Sequence, residues 1–160
     1  MSNYFRPNFP GATLFFTVTL AARGTDLLSS EIDTLRRAVR ETLAERPFHI
    51  HAWVVLPDHM HCIWTLPEGD RDFSTRMSAI KARFSRSVPA GNLRPSHILR
   101  REKAIWQRHF WEHHIRDDAD LSLHIQYCWM NPVKHRLVEH PKDWPFSSYH
   151  RDHRDDPPPT

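Results

Sequence analysis

Only Leu56-Pro57-Asp58 separates two strand-like runs, residues 48–55 and 59–66. A link that short cannot carry a crossover to a parallel neighbour, so the two runs must return on each other as an antiparallel hairpin. The second run opens with His59-Met60-His61-Cys62. Side chains alternate along a strand, so His59 and His61 share one face while Met60, Cys62 and Trp64 share the other.

The remaining elements have to be arranged around this hairpin. Upstream, Leu14, Phe16, Val18 and Leu20 alternate with threonines, which reads as a strand over 13–20. Gly24 and Asp26 mark the turn after it. Ile32, Leu35, Val39 and Leu43 recur at helical spacing, predicting a helix over 31–45 with Ser30 as its N-cap and Pro47 as its stop. Beyond Pro67-Glu68-Gly69-Asp70, a second helix over 72–87 buries Phe73, Met77, Ile80 and Phe84 and turns Arg76, Arg83 and Arg86 outward as a solvated ridge. Residues 88–103, interrupted by Pro89, Gly91, Asn92 and Pro95, read as a basic loop. The aromatic run 106–116 reads as a fourth strand. A last helix starts near Asp118 and runs toward Asn131. There Pro132 is expected to break it and start a fresh turn capped by Asn131.

Strand, helix, strand, strand, helix, strand is the ferredoxin-like β-α-β-β-α-β unit, an α+β fold with an antiparallel sheet. Two helices cover one face of that sheet. The other face is left for the C-terminal helix and a substrate. Residues 1–150 read as one domain and 151–160, with the proline run Pro157-Pro158-Pro159, as a frayed tail.

No apolar run approaches the length of about twenty residues that a membrane-spanning helix needs. The start, Met1-Ser2-Asn3-Tyr4-Phe5-Arg6-Pro7, lacks the pattern of a signal peptide, so a cytoplasmic protein is expected. Cys62 and Cys128 are the two cysteines, and neither forms a CxxC pair. A formal charge of +3 and a pI of about 9.1 suit a nucleic-acid partner without demanding one.

Two imidazoles on one strand face offer a bidentate metal site. The plainer alternative is a wet strand face. His49 and His51 on the neighbouring strand are available as further ligands, which would favour zinc and a hydrolase; an oxygen ligand would favour Mg2+ or Mn2+. Tyr127 lies on the last helix, and Asn131, four residues on, shares its face. An Asn carbonyl oxygen is a hard ligand. A tyrosine hydroxyl, with a reference pKa of about 10, is a weak nucleophile that a cation on the phosphate can help. Trp106-Gln107-Arg108-His109-Phe110-Trp111 has the residue types that stack on unpaired bases and grip phosphates, or that fill a core strand.

Taken in order, these blocks resemble a known family. Ala52-Trp53-Val54-Val55-Leu56-Pro57-Asp58-His59-Met60-His61 resembles the HUH signature of single-tyrosine transposases. Trp106-Gln107-Arg108 with Phe110-Trp111-Glu112-His113 resembles the next block, Tyr127 with Asn131-Pro132-Val133-Lys134-His135 the tyrosine helix, and Trp144-Pro145-Phe146-Ser147-Ser148 the C-terminal block. The best match is the REP-associated tyrosine transposase branch. The resemblance implies cleavage and rejoining of single-stranded, palindromic hairpin DNA through a 5′-phosphotyrosine. It makes Tyr127 the nucleophile and His59, His61 and Asn131 the ligands of a divalent metal, Mg2+ or Mn2+. Many single-tyrosine transposases carry glutamine where this chain has Asn131. Candidate DNA contacts are Arg83, Arg108, Trp111, Arg116 and Lys134. The resemblance also implies a bacterial, nucleoid-associated protein that works as a monomer, with a dimer as the alternative. A non-cutting hairpin-binding protein derived from such an enzyme is the other functional expectation.

Overall fold

The computed structural model describes residues 9–88 and 105–154. β1 (Thr13–Thr19) and β3 (His59–Thr65) form the centre of a four-stranded antiparallel sheet, flanked by β2 (His49–Val55) and β4 (Trp111–His114), in the order β2-β3-β1-β4. With α2 (Ile32–Glu45) between β1 and β2 and α3 (Phe73–Ser87) between β3 and β4, this is the expected ferredoxin-like arrangement. A short α1 (Leu27–Ser30) precedes α2. Ser30 is therefore not the N-cap of α2: it ends α1, and its hydroxyl donates to Leu27 O.

One face of the sheet carries Leu14, Phe16, Val18, Met60, Cys62 and Trp64, packed beneath α2 and α3 with Leu35, Met77, Ile80 and Phe84. Phe16 and Phe48 both lie against the Trp64 ring, with centroids 4.5 and 4.2 Å away. The other face carries a smaller apolar cluster, Phe15, Ala52, Val54, Leu56 and Ile63, closed by Cys128, Leu121 and Ile125 of α4 (Asp118–Lys134). Six of the seven residues of β3 are consequently buried, His59 and His61 among them.

Three further expectations change here. Arg76 is not on an exposed ridge but 3% exposed. Its guanidinium donates to Asp72 O, Pro47 O and Arg46 O and to Asp70 Oδ2, which ties the start of α3 to the α2–β2 link. The fourth strand is four residues long rather than eleven. Trp106 makes one isolated bridge to Leu20, and 107–110 leave the ladder. Pro132 does not break α4, which continues to Lys134. Proline removes one N–H and crowds the carbonyl four residues back, here that of Cys128, and the helix carries this defect within its last turn. Here the following bonds, His135 N to Asn131 O and Leu137 N to Pro132 O, close the end of the helix.

After α4 the chain returns to the free edge of β2. Val55 N donates to Phe146 O, Ser148 N to Trp53 O, and Trp144 Nε1 to Val55 O. Arg151, assigned to the tail on sequence, lies in α5 (Tyr149–Asp152) and donates to Ile50 O and His51 O. The basic loop expected over 88–103, Val88 apart, and residues 155–160 lie outside the described residues.

Candidate active site

α4 runs across the second sheet face and aligns Asp120, His124, Tyr127 and Asn131, whose spacing of four, three and four keeps them on one side of a helix. That side looks onto Phe15 of β1 and His61 of β3. The Tyr127 ring meets Phe15 edge-on at 5.8 Å and His61 edge-on at 5.2 Å, and the Phe15 and His61 rings stack at 5.5 Å. Tyr127 remains 38% exposed.

His59 and His61 are 7% and 4% exposed, with ring centroids 5.1 Å apart. Each ring is fixed through its Nδ1. His59 Nδ1 lies 2.8 Å from Asp58 Oδ1, and His61 Nδ1 lies 2.9 Å from Thr17 Oγ1. An ionised carboxylate can only accept, so His59 Nδ1 carries a proton, and in the neutral ring Nε2 keeps a bare lone pair. His61 takes the same tautomer when its Nδ1–H donates to the Thr17 hydroxyl. Burial first, then the neighbouring His59, His135 and Lys134 charges, holds the His61 imidazole down at about 3, so it is neutral at physiological pH.

The fit to a metal shows in what these groups lack. His61 Nε2, Asn131 Oδ1 and Asn131 Nδ2 are all buried without a hydrogen-bond partner among the described residues. Asn131 pulls the His61 imidazole toward its protonated form, but no bond of ordinary geometry joins the two. Leaving a buried polar group unsatisfied costs about 1–3 kcal/mol. Two such side chains, one imidazole and one carboxamide, are the donors that a divalent ion bound through nitrogen and oxygen would use. With His59 they would make a two-nitrogen, one-oxygen set; Asn131, whose amide caps nothing among the described residues, is not the helix cap it was expected to be.

The other expected contacts divide. Lys134 reaches over the Tyr127 ring, its Nζ 5.0 Å from the centroid. Trp111 is exposed at the edge of the same face, 5.9 Å from Phe15. Arg108 and Arg116 are exposed at the ends of the segment that contains β4. Arg83 is not brought to the site: it sits between α3 and α2, bonded to Thr42 Oγ1 and paired with Glu45 and Glu41. His49 and His51 do not join the ligands either. They lie opposite the far end of β3, and His51 Nε2 is bonded to Thr65 Oγ1.

Sequence reasoning missed Asp58 and Thr17 as the groups that orient the two imidazoles. It also missed His135, whose ring lies 5.0 Å from His59. The signal was present for His135, which follows Tyr127 and Asn131 at intervals of four. A further group was not anticipated: His113, Asp120 and His124 bring ligand atoms within 4.8 Å of one another, a set that can hold a metal ion. As it stands, Asp120 bridges the two rings, 2.9 Å from His113 Nε2 and 3.1 Å from His124 Nδ1.

No protein-family model matches the chain. Among curated proteins, a REP-associated tyrosine transposase of Escherichia coli (strain K12) is 48% identical over 152 residues, covering 95% of this chain and 85% of its own. A putative REP-associated tyrosine transposase of Haemophilus influenzae is 44% identical over 154 residues, covering 95% and 88%. Among solved structures, a REP-associated tyrosine transposase bound to a REP hairpin superposes with a TM-score of 0.84 at 46% identity, covering 99% of this chain and 89% of that one. A putative transposase from Deinococcus radiodurans, 14% identical, shares the fold with a TM-score of 0.51 over 78% of this chain and 94% of its own.

Proposed function

The chain belongs to the REP-associated tyrosine transposases, and from that membership we propose that it binds palindromic hairpin DNA and cuts and rejoins the single strand beside it, with Tyr127 as the nucleophile and a divalent metal, Mg2+ or Mn2+, on His59, His61 and Asn131. The observation that carries this reading is the set of unpartnered buried atoms, His61 Nε2 and the Asn131 amide, facing the Tyr127 side of the sheet. A hairpin-bound structural relative supports the choice of substrate.

When bound, the metal supplies a positive charge that polarises the scissile phosphate. Everything else falls to the chain. Asp58 and Thr17 hold both imidazoles with Nε2 presented. The stacked Phe15 and His61 rings support the Tyr127 ring edge-on. The Tyr127 oxygen forms a bond to phosphorus as the bond from phosphorus to the 3′ oxygen breaks. The phenolic proton passes to solvent, and the departing oxygen takes one up to leave a free 3′-hydroxyl. The 5′ phosphate stays on the tyrosine as a diester, so the reverse attack needs no nucleotide cofactor. Lys134, its Nζ 5.0 Å from the Tyr127 ring centroid, supplies a cation for the phosphate that the tyrosine attacks. Such a protein acts in the cytoplasm on the nucleoid, as a monomer using its own tyrosine; no helix among the described residues is long and apolar enough to cross a membrane.

The test is end-labelled single-stranded hairpin DNA incubated with Mg2+, Mn2+ or chelator and resolved on a denaturing protein gel. The reading expects a metal-dependent protein–DNA adduct that Tyr127→Phe abolishes while hairpin binding survives. Cleavage that persists in Tyr127→Phe removes the tyrosine from the chemistry. Hairpin retention with no adduct under any metal makes the protein a non-cutting binder.

A further inference from the structure

β4 follows β1 only from Trp111 to His114, and the next bridge joins Leu20 to Trp106. Between them, residues 107–110 bow away from the sheet and open a cavity of about 410 Å3 lined by Thr17, Thr19, Gln107, His109, Phe110 and Trp111. This cavity adjoins the candidate metal site. Thr17 is the residue whose hydroxyl meets His61 Nδ1, and Thr19 is the ladder partner of His59. Its outer wall is anchored. Gln107 N donates to Thr19 O, Lys81 Nζ donates to Gln107 O, and Trp106 Nε1 donates to Lys81 O, which ties the bowed segment to β1 on one side and α3 on the other. Trp111 stands at the mouth, 52% exposed, its ring held edge-on to Phe15.

We propose that this cavity seats one unpaired nucleobase, that of the nucleotide flanking the phosphate attacked by Tyr127, with Trp111 as its stacking surface and Gln107 as the group that reads its edge. The inference rests on the nuclease reading above and deepens it by placing a specificity pocket beside the reacting atoms. The chemistry of the lining selects the occupant. An exposed indole gives a planar apolar surface, and base–aromatic stacking accepts any base. The Gln107 amide adds a donor and an acceptor side by side, the pattern that pairs with a base edge, and two threonine hydroxyls add more. An apolar protein side chain in the same space would leave these polar groups unpaired, which is costly. The volume lies within the range of about 300–1,000 Å3 that small-molecule clefts occupy. A base held here keeps its sugar and phosphate over the His61–Tyr127 side of the sheet, so seating the base also positions the phosphate.

The experiment uses the full chain. Mapping the adduct first locates the cut. Binding is then measured by fluorescence anisotropy in the Tyr127→Phe background, with a series of hairpins in which one abasic site is moved through the nucleotides flanking that cut. The expected result is a roughly tenfold loss of affinity when the abasic site falls on one flanking nucleotide, the scale of one base–aromatic stack. In Trp111→Ala that loss shrinks to near nothing, because the stack is already gone. Gln107→Ala keeps the abasic penalty but evens out the affinities for the four bases at that position. A 2-aminopurine at the same nucleotide is quenched by the parent protein and not by Trp111→Ala. Trp111 and Gln107 are exposed, so an unchanged circular dichroism spectrum separates loss of contact from loss of fold. The proposal is overturned if no flanking abasic site matters, or if the abasic penalty is undiminished in Trp111→Ala. An adduct that forms normally beside either result leaves the nuclease standing and removes only the pocket. Failure to bind hairpin DNA at all removes both.

Discussion

Asp58 Oδ1 lies 2.8 Å from His59 Nδ1, and the same carboxylate accepts from Gly24 N and pairs with Arg23 through its other oxygen. Burial pushes the Asp58 carboxyl up, but the contacts to His59, Gly24 and Arg23 together outweigh it and hold the group below the usual carboxylate range. The residue that turns the hairpin thus also sets the tautomer of the first residue of the next strand. Carboxylates behind metal-binding imidazoles typically change affinity by about 10–100-fold when removed. Asp58→Asn is expected to weaken Mn2+ binding on that scale, as read by isothermal titration or electron paramagnetic resonance. An unchanged affinity would mean that His59 does not depend on Asp58 for its orientation.

Asn131 is fully buried with both amide atoms unpartnered among the described residues, so it works against the fold it sits in. Replacing a buried, unsatisfied polar side chain with an apolar one of similar size is often neutral or stabilising. Asn131→Leu is expected to raise or leave unchanged the urea midpoint while abolishing metal-dependent adduct formation. A variant that is markedly less stable would show that the amide has a structural partner. One that still forms the adduct would show that it is not a ligand.

The fold was legible because its signals are local. Alternation marks β1, the short Leu56-Pro57-Asp58 link fixes the β2–β3 hairpin, and helical spacing marks α2 and α3. The placement of His59 and His61 on one strand and of Tyr127 and Asn131 on one helix was legible for the same reason, since each needs only its own periodicity. What failed depended on tertiary partners. Arg76 looked exposed by composition, and only the folded chain brings Arg46 O and Pro47 O to its guanidinium. The run 106–116 is rich in aromatics that favour strands, yet residues 107–110 leave the ladder, with Gln107 O held by Lys81 of α3 and Phe110 packed against Phe16 and Phe73. Thr17 was read as one of a row of polar residues, since nothing in its own neighbourhood points forty-four positions on to His61.

Arg76 stabilises the junction of α2, β2 and α3 through four donated hydrogen bonds, three of them to backbone carbonyls. Truncating one partner of such a buried, charged network costs about 3–5 kcal/mol when the site cannot rehydrate. Arg76→Met retains the stem of the side chain and removes every donor. It is expected to destabilise the protein by about 2–4 kcal/mol in urea unfolding, with the lower end reflecting water reaching the partly exposed Asp70. A change below about 0.5 kcal/mol, the size usual for surface substitutions, would contradict this account.

The partner of Arg76 carries the clearest pH dependence. The Arg76 hydrogen bond, with help from Asp72 N, lowers the Asp70 carboxyl from 3.8 to about 2. A depressed folded-state value means that the unfolded chain binds the proton more readily, so protonation favours unfolding. The contribution of the pair is complete above about pH 5, where Asp70 is ionised in both states, and declines as the pH falls toward 2. Asp70→Asn removes the titrating group and keeps much of the shape. The variant is expected to be less stable than the parent at pH 6, and the difference between the two is expected to narrow between pH 4 and pH 2. Urea midpoints measured across that window provide the check. A difference that stays constant from pH 6 to pH 2 would show that the Asp70–Arg76 contact does not depend on the carboxylate charge.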